Sequence, residues 1–216
     1  NIKHLGAYST SGYKFLCREE VKSLDDFKDW RIRAAGATGR WVNHLGATSV
    51  NIPVTDTYEA LQRGQIECTV GSLSWLKTFS LEDVAKYVYD MPSGAYFGGT
   101  LANINLDKWN ALSDLEKQAL ISAAPKAVSG ATVMGYVGDD KRYIESGIDA
   151  AGITVIQPSD EELKLLDEYR KTEADLVIKM SQDAGLEGAE EVVHAFLANL
   201  EKWQGIIDEI GYDVEK

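Results

Sequence analysis

The sequence predicts an α/β fold in which a mainly parallel sheet is flanked by helices. Short apolar runs alternate with amphipathic stretches across short loops, and each helical stretch carries its own start and stop signals. Beyond Ser159 the pattern is almost wholly amphipathic helix, with Leu163, Leu166, Tyr169 and Leu176 along one face.

Taken in order, Asn1 to Tyr8 reads as the inside of a strand, with no leader ahead of it, so the sequence reads as a processed or truncated product. Ser23 is an N-cap before the acidic turn Leu24-Asp25-Asp26-Phe27, and Trp30 to Ala34 then alternates as a strand does. Gly36-Ala37-Thr38-Gly39 breaks that strand, Trp41, Val42 and Leu45 fall at helical spacing, and Gly46 stops the helix. Thr48 to Ile52 is a second short strand. Thr55-Asp56-Thr57 caps a helix over Tyr58 to Gln62, Gly64 closes it, and Ile66 to Val70 runs extended. Phe97 to Ile104 reads as a further strand. Asn105 to Trp109 leads into a helix starting near Ser113, where Glu116 completes a capping box, and another helix is expected from about Ala127. Gly152 to Ile156 is the last short strand.

The chain of 216 residues is 44% hydrophobic and 26% charged, ordinary values for a folded protein. Its net charge of -12 opposes binding to nucleic acid phosphates and anionic lipid. No uninterrupted apolar run reaches the roughly eighteen residues a membrane helix needs, so no direct membrane insertion is expected. Cys17 and Cys68 have neither CxxC spacing nor a neighbouring His pair, and two buried free thiols are expected in preference to a disulfide. His4, His44 and His194 are scattered without metal-ligand spacing, so neither metal nor other cofactor is expected. Catalysis is disfavoured as well, because Gly71-Ser72-Leu73-Ser74-Trp75 lacks the second glycine of a nucleophile elbow.

Four segments, in order, resemble the solute receptors of tripartite ATP-independent periplasmic (TRAP) transporters. They are Ser23 to Arg33, Leu45-Gly46-Ala47-Thr48, Tyr58 to Glu67, and Asn103-Ile104-Asn105-Leu106-Asp107-Lys108-Trp109. The resemblance reaches, more loosely, to Gly152-Ile153-Thr154-Val155, but the family's opening segment has no counterpart here. It implies a two-lobed α/β fold of the periplasmic-binding-protein kind, with an incomplete first lobe, lobes joined by crossing strands, and C-terminal helices. Residues 1–92 would form the second lobe with a hinge strand at its start, 93–125 the crossover into the first lobe, and 126–216 bracing helices with a short strand at 152–157. The implied role is a monomeric periplasmic receptor that binds a small organic anion between its lobes and delivers it to integral-membrane transporter subunits.

The resemblance also implies site residues. Arg33 takes the position of an arginine that pairs with the ligand carboxylate, a role suited to a planar, permanently charged guanidinium. Thr38, at the following helix N-terminus, stands beside backbone N–H groups aimed at the same anion. Where the family commonly has Gln-Glu-Asn-Pro with a ligand-touching asparagine, this sequence has Thr69-Val70-Gly71-Ser72, making Gly71 and Ser72 the candidates there. Val54 replaces the usual aromatic before Tyr58, and Trp75, Trp41, Tyr96 and Phe97 are candidates to cover a planar or apolar ligand body in its place. Lys14, in Gly12-Tyr13-Lys14, is the nearest match to a second basic contact. Against this stand plainer readings: a solvated strand-end arginine, aromatics that only fill a core, a related enzyme acting on a small carboxylic acid, or a helical interaction module.

Overall fold

The computed structural model describes residues 1–210, without the side chains of residues 97–101 and 210. Two compact units are present, Asn1–Pro158 and Ser159–Lys216.

The first unit is built on a six-stranded sheet. Its strands are β2 (Lys14–Cys17), β3 (Arg31–Arg33), β4 (Thr48–Val50), β5 (Cys68–Gly71), β6 (Tyr87–Tyr89) and β8 (Thr154–Ile156), ordered β4-β3-β5-β2-β6-β8. β3 runs parallel to β4 and β5, and β6 parallel to β8. β2 alone is antiparallel to its neighbours β5 and β6. The sheet is therefore mainly parallel, as the alternating pattern predicts. Sequence reading passes over β2 and β6, which are four and three residues long and buried nearly throughout. Without an exposed face they show no alternation to read.

The connections carry the helices. A 3-10 turn, Leu24–Phe27, precedes β3, and its capping box joins Ser23 to Asp26. α1 (Gly36–His44) links β3 to β4, and α2 (Thr57–Gln62) links β4 to β5. A four-residue helix, α3 (Trp75–Thr78), follows β5. Because directly paired residues point to one face, Leu16 and Val88 project together into a core with Leu61, Leu76, Leu81, Tyr143, Ile148 and Ile153. On the opposite face Phe15 stacks on Phe27 at 4.4 Å, with the Tyr89 ring edge-on to Phe27 at 5.7 Å.

A second sheet pairs β1 (Ile2–Ser9) antiparallel with β7 (Phe97–Asn105). Asn105 then caps a short helix, α4 (Leu106–Ala111), accepting from the backbone N–H groups of Asp107 and Lys108. α5 (Asp114–Gly130) starts at the predicted Ser113–Glu116 capping box. No new helix begins at Ala127: α5 holds Pro125 within it and runs on through a π-helical segment, Ala131–Val137, into α6 (Gly138–Ser146). Pro125 removes one backbone donor, yet its fixed φ is compatible with helix, so the run bends the hydrogen-bond pattern without stopping.

Cys17 and Cys68 form a disulfide, correcting the expectation of free thiols. They sit directly opposite each other on antiparallel β2 and β5 and are fully buried. The register brings together two residues 51 positions apart, a proximity that cysteine spacing does not reveal.

The second unit consists of α7 (Asp160–Asp183) and α8 (Ala189–Ile210). α7 starts at a Ser159–Glu162 capping box. Among the described residues no helix is long and apolar enough to cross a membrane.

Candidate functional site

The carboxyl ends of the parallel strands meet the amino end of β2 along one edge of the six-stranded sheet. Arg33 closes β3, Gly71 closes β5, and Lys14 opens β2. Arg33 pairs with Thr69, two residues before Gly71, and Gly71 pairs with Lys14, so the three project from the same face.

Arg33 is half-buried. Its Nε donates to the Ile52 carbonyl at 3.1 Å, which leaves the terminal guanidinium nitrogens for other partners. Burial lowers the guanidinium below its ordinary value, and the nearby Tyr13 hydroxyl opposes that shift. Arg18, Arg31, Arg63, Arg142 and Arg170 each sit beside a carboxylate. Arg33 has no such partner among the described residues.

Trp75, first residue of α3, faces the guanidinium, with its ring centroid 5.3 Å from the Arg33 carbon Cζ. The indole lies on the backbone of Gly71, where any Cβ would overlap its six-membered ring. A glycine at the end of β5 is thus what lets the ring settle. A buried carboxylate, Asp140 of α6, fixes the start of α3 by accepting from the Ser74 backbone N–H at 2.7 Å. Tyr13 flanks Trp75 at 5.5 Å with the rings tilted 55°. Burial raises the Tyr13 hydroxyl above its ordinary value, while a hydrogen bond with Thr10 and the charge of Arg33 act in the other direction.

The remaining predicted residues separate. Thr38 lies in the first turn of α1, its hydroxyl donating to the Ala35 carbonyl at 2.8 Å. The Gly94 carbonyl accepts from the Tyr13 backbone N–H at 2.7 Å, so the loop after Met91 is held to Tyr13. Tyr96 is 54% exposed and is held by its backbone to Thr10. Ser72 is fully buried, and its hydroxyl has no partner among the described residues. Trp41 is 2% exposed, its ring stacked on His44, which places it among the buried core residues. The Phe97 side chain lies outside the described residues. Lys14 forms an ion pair with Asp90, just past β6. Tyr13, Asp90 and Asp140 escape sequence reading, since each acquires its role from a neighbour distant in the chain.

A cavity of about 600 Å³ lies between α3 and α6. Lys77 and Tyr143 both reach Glu82, and Arg142 pairs with Asp139, so the charged groups around it already satisfy one another. The Arg33 edge has the better claim to an anion. No three His, Cys, Asp or Glu side chains gather in metal-binding geometry among the described residues.

Comparison with known proteins bears on the fold and the family. A TRAP periplasmic solute binding protein from Desulfovibrio salexigens superposes with a TM-score of 0.78 at 23% identity, over 98% of this chain and 63% of that one. The periplasmic ectoine-binding protein of the Halomonas elongata TeaABC TRAP transporter gives 0.78 at 23% identity, over 93% of this chain and 64% of its own. A TRAP periplasmic solute binding protein from Bordetella bronchiseptica, with bound mandelate, gives 0.73 at 20% identity, over 92% and 64%. The fold is the α/β fold of these two-lobed proteins, and the chain spans under two thirds of their length. Residues 1–179 match the bacterial extracellular solute-binding proteins of family 7 (DctP), and the chain belongs to that family.

Proposed function

We propose that this chain is the receptor component of a TRAP-type transporter, binding a small organic carboxylate at the Arg33 edge and delivering it to integral-membrane subunits. The observation that carries this reading is Arg33 itself: a half-buried guanidinium at the carboxyl end of a parallel strand, with no carboxylate partner among the described residues. A charge placed so is costly unless an anion joins it, and its free terminal N–H groups suit a carboxylate. Relatives with bound mandelate, L-malate and malonate support the ligand class, although the ectoine-binding relative takes a different solute.

The receptor acts as a monomer, with residues 1–92 in one lobe, 93–125 crossing to the other and the later helices bracing both. A ligand stabilises closure by touching both lobes, and the closed form is what the membrane subunits recognise. The buried disulfide fits a periplasmic location, since such bonds persist in oxidising compartments. The ligand leaves unchanged, in keeping with a family of solute-binding proteins.

Native mass spectrometry of the full-length protein purified from cells identifies the ligand that travels with it. Titration calorimetry with that ligand then tests Arg33→Ala, which should weaken binding by about 2 to 5 kcal/mol. Unchanged affinity removes Arg33 from the site and refutes the proposal.

A further inference from the structure

The strand register sets two cations on one face of the sheet edge, Arg33 on β3 and Lys14 on β2, with Gly71 and the Trp75 ring between their strands. Two cations flanking a ring is an arrangement for a dianion, but one of them is already neutralised. Lys14 Nζ pairs with Asp90 Oδ1, the two side chains being 21% and 29% exposed. Asp90 is itself held in place. Its backbone N–H donates to the Ile156 carbonyl at 2.8 Å, and Gln157 Nε2 donates to its other carboxylate oxygen at 3.2 Å. The edge strand β8 thus fixes the carboxylate that occupies Lys14.

We infer that Asp90 sets the charge of the ligand: by occupying Lys14 it leaves Arg33 as the cation for a single carboxylate, with a flat apolar body against Trp75 and Tyr13. This rests on the carboxylate reading of the Arg33 site. A second carboxylate reaching toward β2 meets a pair of net charge zero whose negative member repels it, and displacing Asp90 breaks an established ion pair. The rings of Trp75 and Tyr13, 5.5 Å apart, present apolar surface where a second charge would go unsolvated. Asp90 acts on specificity through Lys14, as a positioning residue with no ligand contact of its own.

The test is calorimetric titration of the full-length protein with phenylacetate and with succinate, in the parent, Arg33→Gln, Asp90→Asn and the double variant Lys14→Gln/Asp90→Asn. Phenylacetate should bind the parent at least about tenfold more tightly than succinate. Asp90→Asn frees Lys14 and should raise succinate affinity by about tenfold while changing phenylacetate by less than about twofold. The double variant removes both charges and should restore the parent's preference, which separates the charge effect from local unfolding at β6. Succinate binding the parent as tightly as phenylacetate, with both lost in Arg33→Gln, overturns the inference and leaves the carboxylate reading standing. An Asp90→Asn protein with no gain for succinate also overturns it, as does a double variant that keeps such a gain. If neither acid binds any variant, or Arg33→Gln changes nothing, the carboxylate reading falls and takes the inference with it.

Discussion

Reducing the Cys17–Cys68 disulfide perturbs the chain without substituting a residue, and its cost follows from the length of loop it closes. The two cysteines are 51 residues apart, and the loop spans β3, α1, β4 and α2. Cross-linking a loop of that length removes about 14 cal/mol/K of entropy from the unfolded chain, or about 4 kcal/mol at 25 °C. This cost is assigned to the unfolded chain, on the premise that the β2–β5 ladder around the two buried cysteines holds once the bond is reduced. Urea denaturation of oxidised and fully reduced protein measures the difference directly. With a slope of about 2 kcal/mol per molar urea, the midpoint should fall by about 2 M on reduction. The native protein should resist reduction until it unfolds, since no attacking thiolate reaches a bond without exposed surface. A midpoint shift equivalent to less than about 1 kcal/mol refutes the loop-entropy argument. Rapid reduction under native conditions contradicts the burial.

Other outcomes follow from single contacts. Asp140→Ala leaves the buried Ser74 N–H without its acceptor and should cost about 1 to 3 kcal/mol in thermal or urea unfolding, whereas Asp140→Asn keeps an acceptor and should cost less. Gly71→Ala places a methyl on the Trp75 ring and should destabilise by about 1 to 3 kcal/mol; a red shift in tryptophan emission would report the displaced indole. Tyr13, Tyr136 and Tyr143 all have hydroxyls raised above their ordinary value, chiefly by burial. The stability they contribute is present below the unfolded tyrosine value near pH 10 and is lost as pH rises toward their folded values, because the unfolded chain releases those protons first. Ultraviolet titration should show these three ionising above the ordinary tyrosine value, with urea midpoints falling above about pH 10.

The candidate site was legible only in outline. Local sequence marks Arg33 as the end of a strand, but its role as an anion contact, and the candidacy of Gly71 and Trp75, come from the family resemblance of their segments. Trp41 shows the limit of that reading. Its helical spacing is the same whether its ring lines a cleft or fills a core, and only the packing of α1 places it in the core at 2% exposure. Lys14 is a similar case, since nothing near it in the chain announces Asp90, which lies 76 residues on and arrives through the pairing of β2 with β6.

By itself the sequence determined the alternation of strands and helices, the Ser113 and Ser159 helix starts, the mainly parallel sheet and the arginine at the end of β3. These depend on periodicity and capping, which act over a few residues and are written in order along the chain. Only the tertiary structure decided the disulfide, the buried strands β2 and β6, the occupation of Lys14 by Asp90 and the anchoring of α3 by Asp140. Each of these joins residues far apart in sequence, and which partners meet is fixed by strand register and by packing across the sheet.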